Sequence, residues 1–363
     1  MEASPLRRRL RSPSPDAAVA PGGLDSLPPE LRNEIPSRLP LRCAFCTAAL
    51  ARAWRRCWES VPFLCIKWPA GADPNTITSV LRRYSCPVRE FCHSHIGEAS
   101  FRHSDRWLRL LALRGVQTLN LDFERSDEES VHTLHPSIFS CRGLTVLKLR
   151  GGDIPTMPPG FAGFPNLTKL SLFNIGFPDE INVAMYSTHR DFAKLMTGLD
   201  STKKLKIAIP LEDVNCVEGL SCNFNNLKSL SLQTSLHLLS GALSLFCMLR
   251  NAPILEVLDI EVICMMTTDY SEEEDEVDSD FLNAQWTDDL FSNLIRVGVT
   301  HVTCKLSEMC FIKFVLSKAR RLREFHVCLD EGCPKSNEGA VTELVKYRTS
   351  PRAKVFFSRP QYD

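Results

Sequence analysis

The sequence predicts an α/β protein: a short N-terminal helical module followed by a leucine-rich-repeat solenoid with irregular repeats. Two observations carry that prediction. A leucine-rich strand motif returns as VQTLNL at 116, LTVLKL at 144, LTKLSL at 167, LKSLSL at 227 and LEVLDI at 255, with weaker copies LIRVGV at 294 and LREFHV at 322. Successive starts lie 28, 23, 60, 28, 39 and 28 residues apart, and the longest interval has room for a further copy around TKKLKIAIP at 202. At such a period each unit supplies a strand and a return segment, and buries its leucines only against its neighbours. The second observation is composition: 363 residues, 44% hydrophobic and 24% charged, suit one large core or two ordinary ones.

Residues 1–23 are rich in Arg, Ser, Pro and Ala, and read as a disordered tail because they hold too little apolar surface to offset the entropy of ordering. Arg7, Arg8, Arg9 and Arg11 also fit a short nuclear-import signal, the weaker reading of a brief basic run. From 24 to 62 the apolar residues recur in steps of four, first Leu27, Leu31, Ile35 and Leu39, then Leu50, Trp54 and Trp58. Pro28 and Pro29 suit a helix start, where no backbone donor is needed. A module of roughly 40 residues buries too little to stand alone and should lean on a partner. Pro36 falls inside the first helix, so the helix either absorbs it or ends at Ile35.

Residues 63–110 form a connection entering the solenoid. Its stretch CPVREFCHSHIGEASFRH brings Cys86, Cys92, His93, His95 and His103 close in sequence. Alternation, however, puts Val88, Glu90, Cys92 and Ser94 on one face of a strand, while Arg89, Phe91, His93 and His95 point the other way or continue it irregularly, with no recognised ligand spacing. No metal is expected there, and the CAFC pair Cys43 and Cys46 is read as helix packing.

The repeats occupy 111–290 and are interrupted by an acidic loop at 269–280, whose SEEEDEVDSD core carries seven carboxylates in ten positions. The last repeats and tail fill 291–363. Return segments DFAKLMTGL, GALSLFCMLRNAP and LSEMCFIKFVLSKAR read as helices, the last with Leu306, Met309, Ile312, Phe314, Val315 and Leu316 as its apolar face.

Forty-three Lys plus Arg balance 43 Asp plus Glu, so no whole-chain field draws in nucleic acid or a membrane surface, and neither is expected as a partner. No run approaches the roughly 20 apolar residues needed to span a bilayer. Fifteen cysteines scattered through apolar segments read as mostly reduced, buried small hydrophobes, in a cytoplasmic or nuclear protein. No phosphate loop, zinc helix or nucleophile elbow is present, so the sequence offers neither a catalytic constellation nor a cofactor site.

Strand alternation exposes the residue between the last two leucines of each motif and the residue two further on. These are Asn120, Lys148, Ser171, Ser231 and Asp259, then Asp122, Arg150, Phe173, Gln233 and Glu261, with Phe173 the one large apolar side chain in the set.

LDSLPPELRNEIPSRLPLRCAFCTAALARAWRRCWESVP resembles the F-box through Leu27-Pro28, Glu30-Leu31, Ile35, Leu39-Pro40 and the closing LARAWRRCWESVP. RWLRLLALRGVQTLNLDF, FSCRGLTVLKLRG and GFPNLTKLSLFNIGF are similar to the repeats of plant F-box leucine-rich-repeat proteins, and the segment from 291 is similar to the ending of their FBD subgroup. The resemblance implies a non-catalytic substrate receptor of a cullin-RING ubiquitin ligase, with the helices on a Skp-family adaptor and the repeats on an unidentified target protein. It places Leu27, Pro28, Leu31, Ile35, Leu39 and Leu41 at adaptor-facing positions, with Trp54 and Trp58 either there or in the module's core. Asn120, Asp122, Lys148, Arg150, Ser171, Phe173, Ser231 and Gln233 are the target-facing candidates. Pro36, Arg32-Asn33 and RCAFC depart from the family pattern, so a protein-binding repeat scaffold with a degenerate F-box is the alternative.

Overall fold

The computed structural model describes residues 26–39, 43, 46–47, 54–55, 57–60, 64–124, 132–177, 192, 194–208, 223–263, 277–333 and 338–359. The basic tail, Leu41, Leu50 and most of the acidic loop lie outside them. The chain divides into two compact units, Met1–Val61 and Pro62–Asp363.

In the first unit, helix α1 spans Pro29–Ser37 and includes Pro36 in its interior. It closes with the amides of Arg38 and Leu39 donating to the carbonyls of Ile35 and Pro36, at 3.3 and 3.1 Å. The helix packs against a one-turn 3₁₀ segment, Cys57–Ser60.

The second unit is built on one all-parallel sheet of eleven strands in chain order. These are β1 Leu64–Trp68, β2 Val88–Ile96, β3 Thr118–Phe123, β4 Val146–Arg150, β5 Lys169–Phe173, β6 Lys204–Ala208, β7 Ser229–Thr234, β8 Val257–Val262, β9 Arg296–Val302, β10 Glu324–Leu329 and β11 Lys354–Ser358. Parallel neighbours require a crossover between every pair, and the repeat unit is that crossover. The motif leucines fall in register: Leu119, Leu147, Leu170, Leu205, Leu230 and Leu258 pair in sequence across β3 to β8, each 2% exposed or less. The copy anticipated near 202 is β6.

The return segments are mixed. Helices α2 Pro74–Arg83, α3 Phe101–Leu113, α4 Leu239–Arg250, α5 Ser279–Ala284, α6 Leu306–Lys318 and α7 Glu338–Glu343 alternate with shorter turns such as Pro136–Ser140. Asp73 starts α2 by accepting from the amides of Asn75 and Thr76, at 3.2 and 2.9 Å.

Several expectations need correction. The segment 63–110 is not a mere connection: it contributes β1, β2, α2 and α3 to the same sheet unit. Val88 is buried rather than sharing the outer face with Glu90, because the β1 pairing slips one residue there. In α6, Leu306 is 63% exposed, and Glu308 is buried in its stead. The Glu308 carboxylate accepts from the Thr303 amide and hydroxyl and from the Lys305 amide, at 2.8, 2.9 and 3.2 Å, which turns its side of the first turn inward. Among the described residues no cysteine is in a disulfide, but Cys43 and Cys46 are exposed, and Cys141, Cys247 and Cys333 are the described ones that are buried. At the end of the acidic stretch, Ser279 and Asp280 open helix α5, capped by Asp278 accepting from the Phe281 amide at 2.7 Å.

Neighbouring repeats are tied by side chains as well as by the sheet. Phe164-Pro165-Asn166-Leu167, Phe224-Asn225-Asn226-Leu227 and Phe291-Ser292-Asn293-Leu294 share an F-x-N-L pattern. Each asparagine side-chain amide donates to a backbone carbonyl of the preceding unit: Arg142 at 3.1 Å, Asp200 at 2.8 Å and Pro253 at 3.0 Å. Between two of these units the backbones of Gly163 and Gly198 meet so closely that neither has room for a Cβ.

His93 sits 2% exposed between sheet and helix, its ring stacked on Trp107 at 5.5 Å and its Nδ1–H donated to the Ser94 carbonyl at 3.1 Å. Burial holds its pKa below the ordinary histidine range. The neutral ring therefore supports folding fully above the unfolded value of about 6.5, and that support is lost as pH falls through the lower folded value. Replacing His93 by Gln is expected to shrink the drop in Tm between pH 7.5 and pH 5, measured by circular dichroism; an unchanged drop would assign the acid sensitivity elsewhere.

Candidate functional site

Helix α1 of the first unit is short and offers few apolar groups. Leu31 and Ile35 lie one turn apart on α1, 46% and 40% exposed, while Pro36 is buried. Leu27 and Leu39 are half-buried and Pro28 is exposed. Trp54 and Trp58 are each 1% exposed, so they act as core rather than as adaptor-facing groups. Of the positions put forward from the sequence, Pro28, Leu31 and Ile35 are the ones a partner reaches most readily.

On the repeat unit the outward residues form two rows across the strands. The first pairs Asn120, Lys148, Ser171, Lys206, Ser231 and Asp259 in succession from β3 to β8. The second pairs Asp122 with Arg150 and Phe173, then resumes at Gln233 and Glu261 beyond Ala208. The candidates thus fall into two groups, β3–β5 and β7–β8, parted by β6.

Within the first group, the Arg150 guanidinium lies 3.8 Å from Asp122 and 4.6 Å over the Phe173 ring. That cover leaves Phe173 half-buried, a correction to its expected exposure. The exposed aromatic of the outer face is instead Phe356 on β11, 45% exposed and stacked on His326 at 4.7 Å. In the second group the Gln233 amide donates to Glu261 at 3.4 Å, and Asp259 pairs with Arg296 at 3.7 Å. Asp259 also fills the space a side chain at Gly298 would need, its oxygen 2.6 Å from the would-be Cβ.

The row also shows what the sequence reading missed. Lys169, Lys204 and Lys206 stand beside Lys148, because β5 and β6 are adjacent in the sheet. Lys169 follows from the β4–β5 pairing alone, whereas the placement of Lys204 and Lys206 depends on the register between 177 and 224.

One polar cluster looks chemical at first sight. Ser104 Oγ lies 2.8 Å from His132 Nε2, with Asp105 4.0 Å from the same nitrogen. The serine hydroxyl, however, donates to the Phe101 carbonyl at 2.7 Å, so the imidazole must donate to the serine, the reverse of nucleophile activation. Ser104 is 1% exposed, and the ring is stacked by Phe101 at 4.6 Å. The cluster packs the first repeats.

Comparison with known proteins agrees with this architecture. The F-box domain model matches residues 24–66, and the model described as "FBD-associated F-box protein At5g56370, LRR repeats" matches 104–185. The two matches put an F-box at the N-terminus of this chain and leucine-rich repeats after it. Its relatives are Arabidopsis thaliana proteins of the F-box/FBD/LRR-repeat kind, the resemblance seen in the sequence. The chain is similar to F-box/FBD/LRR-repeat protein At1g51370, 27% identical over 43% of this chain and 36% of the relative. It is similar to F-box protein At5g03100, 24% identical over 56% of this chain and 62% of the relative. The chain thus spans between about a third and two thirds of the length of these two curated relatives. Among the described residues no helix is long and apolar enough to cross a membrane.

Proposed function

We propose that this chain is a substrate-recognition subunit of a Skp-cullin-F-box ubiquitin ligase, acting in the cytoplasm or nucleus. The F-box helices bind a Skp-family adaptor, and through it a cullin-RING ligase, while the outer face of the repeats holds a target protein. The observation that carries this reading is the F-box match over 24–66, combined with Leu31 and Ile35 left exposed on one side of α1. Two apolar side chains one turn apart are the anchors by which a helix enters a partner's groove. The chain supplies recognition and no chemistry of its own; the thioester and RING steps belong to other subunits.

A second reading has one observation in its favour. Pro36 lies inside α1 and removes the backbone donor that would bond the Arg32 carbonyl, at a cost of about 3 kcal/mol in a helix interior. A weakened helix fits a repeat scaffold whose F-box no longer recruits a ligase. Capture of a purified Skp-family adaptor by wild type and by Pro36→Leu, at matched folded concentration, separates the two. We expect wild-type capture within a few-fold of the variant, because the helix persists through the proline. Capture by the variant alone would replace the ligase reading with the scaffold.

A further inference from the structure

The outer face of the sheet is not evenly charged. Towards its two ends basic groups have acidic partners: Lys67 pairs with Glu90 at 3.1 Å, Arg150 with Asp122 at 3.8 Å, and Arg296 with Asp259 at 3.7 Å. The centre is different. Lys148 on β4, Lys169 on β5, and Lys204 and Lys206 on β6 project from three consecutive strands. Lys169 is level with Lys204 across one strand gap, and Lys148 is level with Lys206 across Ser171. Among the described residues, no carboxylate lies within ion-pairing distance of these four ammonium groups. Burial, with Lys148 and Lys204 nearby, holds the Lys169 pKa below the ordinary lysine range. Among the described residues these like charges are thus held together without a paired counter-charge.

We infer that this lysine cluster on β4–β6 is the seat of an acidic, extended peptide segment of the target protein. The inference rests on the receptor reading above and names the partner chemistry of the same face. Charge complementarity is one argument and geometry the other. Strands stand about 4.8 Å apart, so Lys148 and Lys206, two strands apart, are separated by roughly 10 Å. An extended chain in the polyproline II conformation advances about 3.1 Å per residue and turns once every three, so carboxylates three residues apart share one side and meet both lysines. Ser171, between them, is free to hydrogen-bond the crossing backbone. Lys169 and Lys204 then neutralise a further carboxylate from one side.

Fluorescence anisotropy with the full chain tests this, using a labelled synthetic peptide carrying aspartate at every third position with glycine and serine between. Its asparagine counterpart is the uncharged control probe. The double variant Lys169→Glu/Lys204→Glu is expected to weaken binding of the aspartate probe at least about tenfold. Lys313→Glu/Lys354→Glu makes the same charge change elsewhere and should shift it by less than about twofold if the site is local rather than a net-charge effect. Equal losses in the two variants, or equal binding of the asparagine probe, overturn the inference. So does oligouridylate of equal charge binding the same lysines more tightly than the peptide. Adaptor capture is measured on the same samples. A chain that captures adaptor but shows no lysine-dependent peptide binding defeats this inference alone, and the opposite pattern defeats the ligase reading alone.

Discussion

A Gly163→Val chain melts at least about 6 °C below the wild type, since a large domain loses roughly 2–4 °C per kcal/mol. The reason is backbone against backbone. Gly163 has φ +92°, and a Cβ there would lie 2.3 Å from both the Cα and the carbonyl oxygen of Gly198. No flexible side chain can swing aside, so the two repeats must part, which belongs with the overpacking and backbone-strain mechanisms that cost about 3 kcal/mol or more. Gly160→Val is the comparison: φ is also positive, at +79°, but nothing stands within 4 Å of its would-be Cβ. It bears the conformational penalty of about 1–2 kcal/mol without the clash. Thermal unfolding followed by circular dichroism resolves the two, and equal melting temperatures would refute the close-approach argument.

Leu31→Asp/Ile35→Asp abolishes adaptor capture while leaving the melting temperature unchanged. Both side chains are more than a third exposed, at 46% and 40%, so an aspartate at either position stays solvated in the free chain. On binding, each would carry a charge into an apolar groove. Hot-spot anchors contribute about 2 kcal/mol or more, so losing two is expected to weaken affinity about a thousandfold. Calorimetric titration with purified adaptor measures the loss, and retention of affinity within tenfold would remove α1 from the interface. Trp54→Ala is expected to behave oppositely, lowering the melting temperature first, because that ring is 1% exposed.

The sheet was legible where leucine recurs at the L-x-x-L-x-L spacing, because that pattern is itself the inward face of a strand. Strands β3 to β8 stand at or beside the motifs for that reason. Strand β1 was not legible, since Leu64–Trp68 is five residues long and carries no such motif. The apolar face of α6 was read from periodicity alone. Periodicity does not register that a carboxylate with three donors in reach can be buried, so Glu308 and Leu306 exchanged places. The outer face of the sheet was legible residue by residue, because alternation alone exposes Lys148 and Arg150. Its charge cluster was not, because Lys206 comes level with Lys148, across Ser171, only when β6 takes its place in the order. Phe173 was misjudged for a simpler reason: a cation that covers a ring comes from the adjacent strand, and side-chain alternation within one strand says nothing of it.

The F-x-N-L links have a consequence for how this chain tolerates change. Asn166 reaches back 24 positions and Asn226 reaches back 26, but Asn293 reaches back 40 and closes the same kind of bond. The acidic stretch falls inside that longest span. Length between links is therefore free while the links themselves are fixed, so material can enter or leave this gene in the interval between β8 and β9 without shifting any strand of the sheet. A deletion that removes one asparagine without its whole unit has no such freedom, because the next asparagine would meet the wrong carbonyl. The molecule is thus editable in whole units and in one elastic interval, a grammar under which a recognition surface can diversify while its frame stays in place.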